Sequence, residues 1–238
     1  MDLRELTQRR STNDSTTSGK APASLPRSTA RATWPGLRAL IVGMLAPFGA
    51  AVFVYARFFG GGPASVGLVK GSLRRDLALG TAIGVPMLGA AAAFKRWAVP
   101  GYRAHTLADH ALQTGFFMAV NAPVEELFWR GMIQRLAIQG AERVVGRGMR
   151  ATTAGWALTT LGFGAFHTIG GNWPWRAVIG ATLGGGVFGL VYLLQPKPRS
   201  ITPSILVHGF AGVGLFNGGD AVLSWYDRLR DRAARRGA

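Results

Sequence analysis

Four polar side chains lie within ten residues of an otherwise apolar stretch of this 238-residue chain: Asn121, Glu125, Glu126 and Arg130. Ionisable groups at membrane depth are costly and are therefore a sign of function. In an α-helix Glu126 and Arg130 are four residues apart and share a face, so they can form an ion pair. Glu125 points to an adjacent face, which it shares with Asn121. The spacing predicts one carboxylate neutralised by Arg130 and one left for chemistry.

Two histidines in other apolar stretches are the natural partners of this acidic pair. His167 ends the run Leu-Gly-Phe-Gly-Ala-Phe-His, and His208 ends the run Pro-Ser-Ile-Leu-Val-His. A single histidine on an apolar face is more often a packing residue than a catalyst. Two histidines and an acidic pair in three separate stretches are different, because unpartnered polar groups in lipid cost several kcal/mol and convergence removes that cost. Pro123 should kink the helix or start a new segment beside Glu125, which favours a polar cavity.

A carboxylate and two imidazoles support two kinds of hydrolysis. In one, a carboxylate in a medium of low dielectric constant acts as general base, one imidazole helps to deprotonate a water, and the second stabilises the oxyanion formed at a carbonyl. In the other, Glu125, His167 and His208 bind Zn²⁺ as a His₂Glu set and the metal activates the water. The sequence leaves both open.

These residues fall in stretches long enough to cross a bilayer. An uncharged run of 18 residues spans about 27 Å as a helix, which is close to the thickness of the hydrocarbon core. Two runs of that length are each bounded by charged residues, and four more stretches follow. The six predicted spans are Ala39–Ala56, Leu77–Phe94, Ala111–Ile138, Ala151–Ile169, Ala177–Leu194 and Ile201 to about Trp225.

Composition agrees with a membrane protein: 48% of residues are hydrophobic, 16% are charged, and the mean hydropathy is +0.20. Uncharged runs flanked by Arg and Lys argue against a soluble bundle, and alternating ten-residue segments typical of a β-barrel are not visible. We therefore predict an all-α fold, a polytopic transmembrane helical bundle of about six spans with an internal polar cavity. Residues 1–36 are expected to form a disordered basic Ser/Thr-rich tail, 37–226 the transmembrane domain, and 227–238 a basic C-terminal tail.

The net charge of +16 lies almost wholly outside the predicted spans. With six spans, the side that holds both termini carries 16 Lys and Arg residues and the other side nine. The positive-inside rule then predicts a multi-pass protein of the cell membrane with both termini in the cytoplasm. Anionic lipid headgroups are the expected partner of this charge, and nucleic acid is not, because basic patches interleaved with aromatic residues are missing.

At these residues the chain resembles the CPBP intramembrane proteases (CAAX proteases and bacteriocin-processing proteins, also called the Abi family). The family motif Glu-Glu-x-x-x-Arg is met by Glu125, Glu126 and Arg130, and Phe-x-x-x-His by Phe163 and His167. A third motif, His-x-x-x-Asn, is met only by its histidine, His208. The resemblance extends from about Val66 to about Leu215. Members were first described as metalloproteases and later as metal-independent glutamate proteases, so zinc is possible but not required.

The resemblance implies that Glu125, helped by His167, activates water, that His208 holds the oxyanion, and that Glu126 and Arg130 support the site. Gly212 stands where the family has asparagine. Losing one oxyanion donor typically costs about 10²- to 10³-fold in rate. Asn121, on the face of Glu125, is the better replacement, because Asn217 lies nine residues past His208 on the opposite helix face.

Two functions other than proteolysis remain. A catalytically weak or silent member would bind a peptide or membrane protein as a scaffold or immunity-type protein. A proton-coupled transporter would use Glu125, His167 and His208 as a relay, although transporters usually show repeated halves. The glycine-rich stretch around Gly184–Gly186 is predicted to be a helix-packing face. The expected substrate is a membrane-associated or lipidated peptide or protein. The Arg-, Ala- and Gly-rich sequence is typical of bacteria, where a prenylated substrate is not a safe assumption.

Overall fold

The computed structural model describes residues 38–69, 71, 73–98, 106–169 and 173–236, so the predicted tail 1–36 lies outside the described residues. The described part is helical, with no strand in it. Its six long helices are α1 (Arg38–Phe59), α2 (Leu73–Ala98), α3 (residues 107–145), α4 (Met149–Ile169), α5 (Trp175–Leu193) and α6 (residues 202–236). A short 3₁₀ turn, Pro63–Val66, lies between α1 and α2.

Three of these helices change their winding along their length. Helix α1 contains the π-helical segments Ile41–Leu45 and Tyr55–Phe59 on either side of the α-helical Ala46–Val54. Helix α3 consists of Leu107–Phe116, the π-helical Phe117–Asn121, the short α-helical Ala122–Glu126, the π-helical Leu127–Ile133, and Gln134–Val145. Helix α6 consists of Thr202–Val213, the π-helical Gly214–Gly218, and Gly219–Arg236. Residues 227–236, predicted as part of the basic tail, therefore continue the last helix.

Local sequence explains where the helices start. Thr106 and Asp109 form a reciprocal cap at the start of α3: the Thr106 Oγ1 accepts from the Asp109 N–H at 3.1 Å, and the Asp109 Oδ2 accepts from the Thr106 N–H at 2.9 Å. Pro174 precedes α5, and Pro203 stands in the first turn of α6, where its missing N–H costs no hydrogen bond. These starts lie within four residues of the predicted ones.

Helix α2 packs along α6, and α4 lies between the C-terminal half of α3 and α5. Small residues allow the first of these crossings to be close. A Cβ at Gly80 would lie 2.8 Å from the Leu206 Cβ, and one at Gly214 would collide with the backbone of Leu88. Close approach at small residues is how helices pack without a hydrophobic driving force in lipid.

The distribution of polarity is that of a protein in a bilayer. The largest fully buried side chains include Arg130, Gln134 and Glu126, whereas Phe53, Leu161 and Leu183 are more than 60% exposed in mid-helix. Many large apolar side chains exposed in mid-helix are unfavourable in contact with water and favourable in contact with lipid. The chain is therefore an all-α, multi-pass membrane bundle, as predicted.

The number of spans stays a prediction. Four helices of the described residues are long and apolar enough to cross a membrane: α1, α2, α5 and α6. The remaining two helices, α3 and α4, correspond to predicted spans three and four. They carry Glu125, Glu126 and His167, and these polar residues lower the hydropathy by which spans are recognised.

Candidate active site

The acidic pair lies where α3 changes its winding. Ala122–Glu126 is a short α-helical piece with a π-helical segment on either side. Pro123, near its start, has no N–H to bond to the preceding turn, and the wider π-helical turn before it accommodates the ring. The expected new segment at Pro123 is therefore present. Local π-helical turns of this kind are frequent at functional sites.

Glu126 is held by two basic side chains. Its Oε1 is 2.8 Å from the Nδ1 of His208, and its Oε2 is 3.4 Å from the Nε of Arg130. Glu126 and Arg130 are fully buried. The expected i, i+4 pair is present, and His208 shares the carboxylate with Arg130, which spacing along one helix could not show.

Arg130 also contacts helix α5. Its Nη2 donates to the carbonyl of Gly185 at 3.0 Å, and its guanidinium lies over the rings of Phe163 and Phe188, at 4.8 and 5.7 Å from their centroids. A Cβ at Gly185 would lie 2.8 Å from the Phe163 Cδ1, so only glycine permits this approach. Gln134, one turn later, donates similarly to the Gly189 carbonyl at 3.3 Å. The glycine-rich stretch is a packing face, as expected, and its carbonyls also accept hydrogen bonds from α3.

His208 faces both glutamates. Because a carboxylate oxygen accepts, the short contact to Glu126 places a proton on the His208 Nδ1. The Nε2 is 3.8 Å from the Oε2 of Glu125, which is beyond direct hydrogen bonding. A proton on the Nε2, or a small group between the two, would make this second contact favourable. His208 thus lies between a carboxylate that orients it and one that it can assist.

Glu125 is 5% exposed and has Asn121 beside it, close enough for a side-chain hydrogen bond. Asn121 is itself buried. The expectation that Asn121 and Glu125 share a face therefore holds in the structure. An amide N–H beside Glu125 can also donate a hydrogen bond to a nearby oxygen on which negative charge develops.

His167 contacts Phe163, and the Phe163 ring in turn contacts His208. Its Nδ1 is 2.7 Å from the carbonyl oxygen of Phe163, an acceptor, so the neutral ring carries its proton on Nδ1 and leaves Nε2 as a free lone pair. The imidazole lies between the rings of Phe163 and Trp173, with centroids 4.8 and 4.7 Å away. Within the described residues no hydrogen bond or ion pair joins His167 to Glu125. The Phe163 ring also contacts His208, at 5.9 Å.

The ring of Phe117 occupies the space beside Gly212, the position at which the family motif has asparagine. A Cβ at Gly212 would lie 2.7 Å from the Cδ1 of Phe117. Asn217 is bound elsewhere, because its amide donates to the Thr114 Oγ1 at 2.8 Å and to the His110 carbonyl at 3.2 Å. Of the two asparagines considered, only Asn121 is beside a site carboxylate.

The donor set does not fit a zinc ion. Among the described residues no three His, Asp or Glu side chains are grouped so that they could hold a metal. The Nδ1 atoms of His167 and His208 are engaged by the Phe163 carbonyl and by Glu126, which leaves only their Nε2 atoms for other partners. The predicted His₂Glu set is therefore not arranged as a metal site among the described residues.

Several residues of the site are not evident from sequence. Phe188 stacks on His208, and Trp173 covers His167. Phe188 lies on α5 shortly after Gly184–Gly186, and it belongs to none of the sequence motifs. Trp173 lies in a loop, where periodicity gives no signal.

The model of one known family matches residues 107–213; its description is type II CAAX prenyl endopeptidase, Rce1-like. The match confirms the resemblance and includes Asn121, Glu125, Glu126, Arg130, His167 and His208. It begins at residue 107 rather than near Val66, where the resemblance was expected to start. No curated protein and no solved structure gives a significant match.

Proposed function

We propose that this protein, whose residues 107–213 match the Rce1-like type II CAAX prenyl endopeptidase model, is an intramembrane endopeptidase. It hydrolyses a peptide bond of a membrane-associated or lipidated peptide or protein. The observation that carries the proposal is the buried contact of His208 with both glutamates, 2.8 Å from Glu126 and 3.8 Å from Glu125. A cluster used only for packing would not require two buried carboxylates and an imidazole in contact.

Charge balance supports these assignments. Arg130 compensates one carboxylate, and His208 compensates the other when both of its ring nitrogens carry protons. A buried cluster of two carboxylates, one guanidinium and one imidazolium is then neutral, which is the arrangement that avoids an uncompensated buried charge. The His208 Nε2 lies on the side of the ring that faces Glu125, 3.8 Å from its Oε2.

Glu125 is the proposed general base. A water between Glu125 and the free Nε2 of His167 gives a proton to the Glu125 carboxylate as its oxygen bonds to the peptide carbonyl carbon. The carbonyl oxygen becomes an oxyanion, which accepts hydrogen bonds from the His208 Nε2–H and the Asn121 amide. Glu125 then passes its proton to the amide nitrogen, the C–N bond breaks, and the products are a carboxylic acid and an amine.

Glu126 and Arg130 support this chemistry without contacting the substrate. The Glu126 carboxylate orients the His208 ring through Nδ1, as the aspartate of a serine-protease triad orients its histidine. Arg130 fixes Glu126 through the ion pair and is itself fixed by the Gly185 carbonyl. The proposed mechanism requires no metal cofactor.

The decisive experiment measures cleavage of a quenched lipidated peptide by the protein in nanodiscs. We expect Glu125→Gln to lower kcat by about 10²- to 10⁴-fold, the usual contribution of a general base. Glu142→Gln, on the far part of α3, is the matched control and should leave the rate unchanged. Equal rates for wild type and Glu125→Gln would overturn the assignment of the base.

A catalytically silent binding protein is the second candidate, and the contact of Phe117 with Gly212 favours it, because the usual oxyanion donor has no room there. Such a protein would retain peptide without cleaving it. Capture of uncleaved membrane peptides equally by wild type and Glu125→Gln, with no products from wild type, would establish this function instead.

We propose that the protein lies in the cell membrane, with both termini in the cytoplasm. Its basic loops contact anionic lipid headgroups. The bias of Lys and Arg towards the side of the termini supports this orientation. Fusion of a reporter that is active on only one side of the membrane to the C-terminus, after Ala238, tests it. Activity on the external side would reverse the orientation.

A further inference from the structure

Phe188 of α5 lies flat against the imidazole of His208: the ring centroids are 4.6 Å apart and the planes differ by 15°. We propose that Phe188 is a positioning residue for the proposed protease site, one that fixes the plane of the His208 ring so that Nδ1 faces Glu126 and Nε2 faces Glu125. Phe188 is 4% exposed and belongs to none of the motifs by which the site is recognised. This inference rests on the role proposed for His208.

One hydrogen bond does not fix an imidazole. The Nδ1 contact with Glu126 holds one atom of the ring, and the broad torsion of a histidine about its Cβ–Cγ bond leaves the ring free to tilt around that atom. A parallel ring against one face removes this tilt. The edge of Phe163, at 81° to the imidazole, encloses it from a second direction.

Phe188 is in turn tied to the helix that carries His208. The Ser204 hydroxyl donates to the Phe188 carbonyl at 3.0 Å, and Ser204 is fully buried. Ser204 and His208 are one turn apart on α6, so they meet the backbone and the ring of the same α5 residue. These two contacts together fix the register of α5 against α6 at the site.

The same ring contacts the other partner of Glu126. The Arg130 guanidinium lies 5.7 Å from the Phe188 centroid, in reach of a cation–π interaction. Phe188 therefore contacts both basic groups that hold the Glu126 carboxylate. Loss of the ring should loosen His208 and Arg130 together.

Kinetics of matched variants separate positioning from packing. Phe188→Leu keeps a buried apolar side chain but removes the ring, and Phe116→Leu does the same in a core cluster formed with Leu45. Since an aromatic pair contributes about 0.5–1.5 kcal/mol, we expect Phe188→Leu to lower kcat by about 2- to 12-fold with KM unchanged. Phe188→Tyr, which keeps the ring, should restore most of the rate, and Phe116→Leu should leave kcat unchanged. Equal kcat losses in the two leucine variants would overturn the proposal.

A second measurement does not depend on proteolysis. In ¹⁵N-histidine NMR spectra of the protein in nanodiscs, His208 should give one set of ring signals with a strongly hydrogen-bonded Nδ1–H. We expect Phe188→Leu to broaden these signals or split them into more than one set, and Phe116→Leu to leave them unchanged. Unchanged His208 signals in Phe188→Leu would overturn the proposal even if the protein cleaves peptides. Broadened or split signals would support it even if no cleavage is found.

Ser204→Ala provides a milder variant should Phe188→Leu fail to fold. This substitution keeps the Phe188 ring and removes only the hydrogen bond from the Ser204 hydroxyl to the Phe188 carbonyl. Thr159→Val is its control, because it removes a buried hydroxyl that bonds only within its own helix, to the Gly155 carbonyl. We expect Ser204→Ala to broaden or split the His208 signals, as loss of the ring does, and Thr159→Val to leave them unchanged. Identical spectra for both variants would contradict the proposed positioning.

Discussion

The ring of Phe117 occupies the space into which a side chain at Gly212 would project. A Cβ at Gly212 would lie 2.7 Å from the Phe117 Cδ1 and 3.1 Å from its Cγ. Phe117 is held in place by a stacked contact with Phe216, with centroids 4.9 Å apart. The packing between α3 and α6 therefore leaves no room at position 212 for the asparagine of the family motif.

Replacement of Gly212 by alanine tests this packing. We expect Gly212→Ala to destabilise the protein by about 1–3 kcal/mol, because the ring must move to admit the methyl group. The control is Gly115→Ala, a position with no atom within 4 Å of the added Cβ, where alanine should be neutral or stabilise by up to about 1 kcal/mol. Chemical unfolding in detergent measures both. Equal stabilities for the two variants would show that Phe117 yields without cost.

Restoration of the family asparagine requires room for it. In the double variant Phe117→Ala/Gly212→Asn the amide can enter the vacated space and add a donor for the oxyanion. We expect this variant to cleave peptide faster than Phe117→Ala alone, by up to about 10²-fold. No gain in kcat would show that Gly212 is not where a donor is needed.

Asn121 is the predicted replacement for the missing donor. We expect Asn121→Ala to lower kcat by about 10²- to 10³-fold, the usual effect of removing one oxyanion donor. Asn217→Ala is the control: it removes the hydrogen bonds to Thr114 and His110 and should lower stability while leaving kcat of the folded protein unchanged. The same kcat for Asn121→Ala and wild type would remove Asn121 from the mechanism.

Arg130 should be needed for stability as well as activity. Arg130→Met leaves the fully buried Glu126 with an uncompensated charge, for which we expect a loss of about 3–5 kcal/mol. Arg130→Met/Glu126→Gln should recover part of this loss, because the unpaired carboxylate is gone. The exposed Arg143→Met should change stability by less than about 0.5 kcal/mol. If the double variant is as unstable as Arg130→Met, the loss does not come from the charge.

A second buried ion pair joins α2 to α6. The Lys95 Nζ is 2.5 Å from the Asp220 Oδ1, both residues are under 10% exposed, and the ammonium lies 5.6 Å from the Phe216 ring. We expect Asp220→Asn to destabilise the protein by about 3–5 kcal/mol. Asp227→Asn breaks an exposed contact of 3.9 Å with Arg230 and should cost no more than about 1 kcal/mol. A double-mutant cycle between Lys95 and Asp220 measures the coupling directly, and a value near zero would contradict it.

Removal of metal ions should leave the activity intact. The described residues offer no metal-binding group of three His, Asp or Glu side chains. We expect peptide cleavage in the presence of a strong chelator to equal that without it, while Glu125→Gln keeps its lowered rate in both conditions. Loss of cleavage on chelation, reversed by Zn²⁺, would establish the zinc mechanism that the residue types also permit.

The helices were predictable because length and polarity along the chain are local properties. An uncharged run such as Leu77–Phe94 predicts the core of α2, and the i, i+4 relation predicts the contact between Glu126 and Arg130. The extension of α6 to Arg236 was not predictable, because its last turns are charged and continue from the preceding helix rather than from an apolar pattern.

The contacts between helices were not predictable, because they depend on the rotation and register of one helix against another. The sequence alone determined that two glutamates, an arginine and two histidines lie in three membrane-length helices and should converge, since lipid leaves buried charges no other partner. Only the tertiary structure decided that His208 contacts both glutamates, that His167 is held by the Phe163 carbonyl, and that Phe117 fills the place of the missing asparagine. The physical reason is that spacing along a chain fixes the face of one helix, whereas the partner of that face is set by close packing between helices.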